Sequence, residues 1–153
     1  MRTLAIITFL TLLHCQSPAA EHSPSPLLQQ SYDRLLSVGF FAFGEVQSGR
    51  GDPCMISPGE SALRTLADST NGLPLLRAAL TNGTTAAKLY ALCGIQHLAP
   101  EQFDSLAAPV VRSHSKVGVT VGWIQMVMPA SNIVAQIKRG SYEEFLPSAR
   151  SQR

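Results

Sequence analysis

The chain has 153 residues, with 12 Lys and Arg against 10 Asp and Glu, and 45% of its residues are hydrophobic. A charge balance this close to neutral gives it no electrostatic reason to bind nucleic acid or an anionic lipid surface. The length suits one hydrophobic core of ordinary size rather than several domains.

Met1-Arg2-Thr3 is a short basic region, Leu4 to Leu13 an apolar run of ten residues, and His14 to Ala20 a polar stretch that ends in small residues. That order is the pattern of an export signal. Ten apolar residues are too few to cross a bilayer, for which a helix needs about 20. Residues 1–20 therefore read as a signal peptide cut after Ala19 or Ala20, which leaves a mature chain with no integral membrane span. The expected location is periplasmic or secreted. An alternative makes Cys15 a lipidated cysteine, because Leu12 suits the third position before it and a Ser/Pro/Ala-rich tether follows; the protein would then be anchored to a membrane. His14 counts against this, since that position normally holds a small residue. If Cys15 leaves with the signal, Cys54 and Cys93 remain in a compartment where disulfides persist. A bridge between them would close a loop of about 40 residues and contribute about 4 kcal/mol in the chain-entropy account. The competing reading places Cys93 in an apolar helical pattern as a small buried hydrophobe.

Residues 21–26, Glu-His-Ser-Pro-Ser-Pro, have no apolar content, and their two prolines hold the backbone extended as a tether. Leu28, Tyr32, Leu35 and Leu36 then fall at spacings of three and four, which predicts a short helix with one apolar stripe, ended by Gly39. Phe40-Phe41-Ala42-Phe43, between glycines, is too short for a helix and reads as a buried strand or packed turn. Gln47 to Pro53 is a polar, Gly-rich loop. Ser57 opens the clearest helix: its hydroxyl suits the N-cap, Pro58 the first helical position, and Glu60 is spaced to reach back to the Ser57 amide as a capping box. Leu63 and Leu66 face inward until Asn71-Gly72 supplies a left-handed stop. A second helix of this kind, from about Leu73 to Leu80, closes on Asn82-Gly83. A third, Thr85 to Leu98, carries Leu89, Leu92 and Ile95, with small Ala91 and Gly94 marking close approach by a neighbouring helix. A fourth starts near Pro100, buries Phe103 and Leu106, and stops before Pro109.

The stretch from Leu73 to Leu98, a leucine-rich segment followed by Ala-Leu-Cys-Gly-Ile, resembles a HEAT-type helical hairpin. The resemblance implies stacking of short helical hairpins rather than a long solenoid, which needs at least three units. Phe43-Gly44, Ser57-Pro58-Gly59-Glu60-Ser61-Ala62-Leu63 and Leu89-Tyr90-Ala91-Leu92-Cys93-Gly94 together resemble a group of uncharacterised bacterial exported proteins, which implies no particular activity.

Beyond Pro109 the texture changes. Val117, Val119, Val121 and Trp123 alternate with Gly118, Thr120 and Gly122, which predicts a minor β element near residues 117–127, either one strand or a pair bent at Gly122 and stopped by Pro129. Ala130 to Arg139 reads as a helix with Ile133, Val134 and Ile137 inward and Gly140 as its stop. Tyr142, Phe145 and Leu146 are placed to dock the tail, and residues 148–153 read as disordered.

Candidate chemistry is sparse. Cys93 and His97 stand one helical turn apart, as a metal site or a Cys/His pair requires, but no third ligand or orienting acid is evident in the sequence. His114 between two serines suggests a general base only if the fold positions it. Arg50-Gly51-Asp52 matches the tripeptide of integrin ligands, and Asn82-Gly83-Thr84 a glycosylation sequon; both are short enough to arise by chance. The aromatics of residues 40–43 either line an apolar ligand site or fill a core. Trp123, among Gly122, Gln125, Met126 and Met128, suits an exposed strand that anchors a partner, with Met126 beside it. No catalytic residues, metal ligands or cofactor are assigned. The expectation is a mainly α single domain over residues 27–147 that acts as a binding or structural module of the cell envelope with an unidentified protein partner. An envelope hydrolase using Cys93 or His114, or a scaffold lipid-anchored through Cys15, are the alternatives.

Overall fold

The computed structural model describes residues 25–46, 55–122 and 124–147. Over these the protein is mainly helical with a small β component, as the hydrophobic periodicity predicts. The first helix, α1 (Pro26–Leu36), begins one residue inside the expected tether: Ser25 is its N-cap and accepts from the Leu28 amide at 3.3 Å, while Pro26 fills the first helical position, where a missing N–H is harmless. Leu28 and Leu35 are buried along one stripe. The chain then enters β1 (Phe40–Ala42), passes through the short pair β2 (Glu45–Val46) and β3 (Met55–Ile56), and reaches α2 (Pro58–Ala67). The loop carrying Arg50-Gly51-Asp52 lies outside the described residues.

At the start of α2 the capping box is half realised. Ser57 Oγ accepts from the Glu60 amide at 3.1 Å, as expected. The Glu60 carboxylate, however, does not return to Ser57. One oxygen accepts from the Gly44 amide at 2.8 Å and the other from Arg64 at 2.5 Å. Glu60 is wholly buried, and a buried carboxylate gains more from a charged donor and a strand-end amide than from its own helix cap.

Of the two Asn-Gly pairs, Asn82-Gly83 closes its helix as predicted, with Gly83 as the C-cap, whereas Asn71-Gly72 serves a different end. Asn71-Gly72 does not stop α2; Asn71 is the N-cap residue of α3 and Gly72 opens that helix (Gly72–Asn82). Neither Gly72 nor Gly83 takes a positive φ. Each is glycine because of proximity: a Cβ on Gly72 would lie 1.7 Å from the Leu66 carbonyl oxygen, and one on Gly83 would lie 2.7 Å from both the Ala79 carbonyl oxygen and the Ala87 methyl. Helix α4 (Thr85–Leu98) follows with the predicted bounds. Thr84 caps it by accepting from the Ala87 amide at 3.1 Å while donating to the Val38 carbonyl at 2.6 Å, so the hydroxyl of the sequon is already in structural use.

Helix α4 is the centre of the molecule. Residues Ala86 to Ala87 and Leu89 to Ile95 are buried almost all the way round it, and α2, α3, α5 and α6 all pack against it. Gly94 admits the Leu63 and Leu76 side chains, with a Cβ there only 2.9 and 2.6 Å from them, as the small-residue reading of this helix requires. A 3₁₀ turn (Pro100–Gln102) leads into α5 (Phe103–Arg112), which runs through Pro109 instead of ending before it. Pro109 and Ser105, whose carbonyl loses its helical donor, both lie on the exposed face, where a carbonyl without that donor is not buried, while Phe103, Ala107 and Val110 keep the buried stripe intact.

The strands β4 (Lys116–Val121) and β5 (Ile124–Pro129) form an antiparallel hairpin turned at Gly122, whose φ of +57° suits a two-residue connection. The β element is thus longer than expected, and it is joined by β1, which pairs with β4 in parallel: Phe40 with Gly118, Phe41 with Val119, Ala42 with Thr120. Helix α6 (Ala130–Lys138) buries Ile133, Val134 and Ile137, and Gly140 at φ +78° ends it. The tail returns across the core: Tyr142 stacks on Phe43 at 5.0 Å between ring centroids, Phe145 lies 5.4 Å from Phe43, and Leu146 is buried. The aromatic run of β1 therefore fills a core, with Phe41 packed between Tyr90 and Tyr142. Residues 148–153 lie outside the described residues.

Candidate partner-binding surface

The sheet order β1-β4-β5 leaves one long side of β5 without a partner strand among the described residues. Side chains that face each other across two strands share a face of the sheet: Val117 and Val119 are buried on one face, where Met128 is half-buried and Met126 exposed, and Gly118, Val127, Gln125 and the buried Thr120 share the other. Phe40 joins that second face beside Gly118. Because Gly118 has no side chain, the ground between Phe40 and Val127 is left as a shallow apolar trough of about 300 Å³, with Met126 and Gln125 at its rim.

The exposure along this hairpin is high for apolar groups. Val127 is 70% exposed, Ile124 62%, Val121 61%, Phe40 43% and Met126 40%. β5 reads Ile-Gln-Met-Val-Met-Pro, with no charge, and pairs with β4 without a bulge. Every second residue of such an edge turns its N–H and C=O away from the neighbouring strand, and native edges are usually blunted by a charge, a bulge or a covering element. Here only the terminal Pro129 interrupts it. Met126, one of the two residues singled out for partner contact, is on this edge; Trp123, the other, lies outside the described residues.

Cys93 is a free thiol, 2% exposed, in the packed face of α4; Cys54 and Cys15 lie outside the described residues. Burial, with a smaller contribution from Glu143, pushes the Cys93 thiol well above its ordinary range, which keeps it neutral, and the neutral form is neither a good nucleophile nor a metal ligand. His97 does have a carboxylate partner invisible to local sequence reading: its Nδ1 lies 3.1 Å from Oε2 of Glu143, the first residue of the 3₁₀ turn Glu143–Phe145. That contact ties the tail to α4. His114 is exposed and takes φ +49° immediately after the last turn of α5, donating from its amide to Val111 at 3.4 Å. It occupies the left-handed position that glycine commonly fills at a helix end. Among the described residues no group of three or more His, Cys, Asp or Glu side chains is gathered for a metal ion, and no helix is long and apolar enough to cross a membrane.

The buried polar residues that local reading undervalued are Glu60 and Tyr90. Tyr90 was legible only as a helix residue, yet its phenol reaches the backbone of Ala42 in β1, 48 positions away in sequence. No protein-family model, no curated protein and no solved structure matches the chain.

Proposed function

We propose that the protein is an exported binding or structural module of the cell envelope, which receives an extended segment of a protein partner along the β5 edge. The observation that carries this reading is the uncharged, exposed edge strand with its flanking apolar side chains, set on a rigid helical body. An added strand gains main-chain hydrogen bonds from β5, and the trough between Phe40 and Val127 selects an apolar side chain beside them. The α3–α4 pair, which resembles a HEAT-type hairpin, supports the body behind the sheet. The apolar leader of residues 4–13 supports export, and the intact mass of the mature protein separates cleavage after Ala19 or Ala20 from retention of an acylated Cys15.

The test compares wild type with Val127→Lys and Met126→Lys in capture from envelope extract. A charge on a strand edge is the usual natural block to added strands. Both variants are expected to retain native circular dichroism and to lose the captured partner. Equal capture by a folded Val127→Lys protein would exclude this edge as the binding surface.

A further inference from the structure

A second concave region lies between α3, the first turn of α4, α5 and the turn that follows it. Its volume is about 390 Å³, within the range of small-molecule sites. Leu80, Leu106 and Val110 form an apolar floor, and Arg77 and Lys88 stand on the walls.

The hydrogen-bonding capacity of this groove is unbalanced. The Ser113 hydroxyl is committed to the Val110 carbonyl at 2.7 Å and to Ser115, and Ser105 to the Gln102 carbonyl at 2.8 Å. With the Ser113 proton given to Val110, the Ser115 hydroxyl is the donor in the 2.9 Å contact with Ser113 and has no proton to spare. Thr81 and Thr85 have no side-chain hydrogen bond among the described residues, and half-buried Lys88 has neither a hydrogen bond nor an ion pair there. Arg77 gives one N–H to Gln102, and its charge contributes to holding the exposed Glu101 carboxyl below its usual range, after that residue's own backbone and Gln102. Its remaining N–H groups are unassigned. No carboxylate lines the groove. The last carbonyls of α3 and the first amides of α4 meet at the same end, so their dipoles oppose, and Arg77 and Lys88 supply the positive charge.

A groove with free donors from Lys88, Arg77, Thr81 and Thr85, no anionic acceptor and an apolar floor demands a ligand that is rich in anionic oxygen at one end and apolar at the other. We infer that this groove binds an organic phosphate, the phosphoryl oxygens taking the Lys88 ammonium and the hydroxyl protons while the organic part covers Leu80 and Val110. Such chemistry is presented both by soluble phosphomonoesters and by the head group of an anionic phospholipid. The site is independent of the β5 edge.

The test is calorimetric titration of the mature protein with phenyl phosphate and with inorganic phosphate, alongside flotation with vesicles of phosphatidic acid in phosphatidylcholine and of phosphatidylcholine alone. Phenyl phosphate is expected to bind more tightly than inorganic phosphate, because only it uses the apolar floor. Binding to the acidic vesicles in addition identifies a lipid source; binding to phenyl phosphate without vesicle flotation identifies a soluble one. Lys88→Gln is expected to weaken either interaction by roughly tenfold or more, as loss of a charged hydrogen bond does. Lys88→Arg, which keeps the charge, should retain most of the binding, and Val127→Lys should leave phenyl phosphate binding unchanged. Failure of the wild type to bind both phenyl phosphate and acidic vesicles overturns the inference, as does equal binding by a natively folded Lys88→Gln protein.

Discussion

The hydroxyls of Ser57 and Tyr90 lie 3.0 Å apart, and each reaches the carbonyl oxygen of Ala42, at 2.8 and 2.6 Å. The Ala42 amide in turn donates to the Tyr90 phenol at 2.8 Å. One side chain of α4 thus satisfies both backbone groups of a strand residue, and Ser57 couples the same point to the N-terminus of α2. This junction fixes β1, and through β1 the parallel pairing with β4, relative to the helical body.

Tyr90→Phe keeps the ring in the core and removes the hydroxyl, which leaves the Ala42 amide buried without its acceptor. The expected loss is about 2 kcal/mol, within the range for an orphaned buried donor. Urea unfolding should show a lower midpoint with an unchanged slope. An unchanged midpoint would show that the junction contributes no net stability.

Burial pushes the Tyr90 phenol up to about 12, with the Ser57 and Ala42 hydrogen bonds only partly offsetting it, and burial likewise raises Tyr142 to about 12, against an ordinary value of 10.0. In the unfolded chain these phenols lose their protons near pH 10, while the folded protein holds them until about pH 12. The native state therefore binds more protons across that window, so stability that is intact below pH 10 falls as pH rises from 10 toward 12. Denaturation midpoints measured across this interval should drop steeply in the wild type and less steeply in Tyr142→Phe. Parallel curves for the two proteins would remove Tyr142 as a cause.

The chain's helical content was legible because its apolar residues recur at helical spacing and its caps are local: Ser57-Pro58 and Ala130 to Gly140 need no distant partner to be read. The misreadings share one origin. Asn71-Gly72 carries the signature of a left-handed stop, but the demand for glycine comes from the Leu66 carbonyl beside it, a packing relation that no local pattern encodes. Pro109 reads as a terminator until the exposed face of α5 is known to carry it. The parallel pairing of β1 with β4 joins Phe40 to Gly118 across about half the chain, and the groove that unites Arg77, Lys88 and Ser115 is also non-local. Of the β5 surface, Met126 was recognisable from its β-prone, apolar surroundings, whereas the trough depends on Gly118 and Phe40 meeting across strands.

The glycine argument predicts that Gly72→Ala is destabilising by about 2 kcal/mol or more, since the new methyl meets backbone that cannot yield as a side chain can. His114→Gly should act in the opposite direction and stabilise by about 1 kcal/mol, by relieving a Cβ at positive φ at the end of α5. Thermal or urea unfolding of the two variants checks both signs. A neutral Gly72→Ala would mean that α2 and α3 separate without penalty.

Cys93 should resist alkylation in the folded protein and react only as it unfolds, because its sulfur is both buried and held neutral. The readout is mass analysis of the peptide containing Cys93 after brief treatment with iodoacetamide, with and without denaturant. Rapid labelling under native conditions would contradict the packing described for α4.

The central claim, that the β5 edge receives a partner, is tested most directly by a photo-crosslinking amino acid placed at position 127 and, as a control on an exposed helix position, at position 112, with both proteins expressed in the native host. The account predicts a discrete adduct from position 127 whose partner peptide is extended and apolar, and none from position 112. Adducts of the same identity from both positions, or none from position 127 while the wild type still captures its partner, would contradict it.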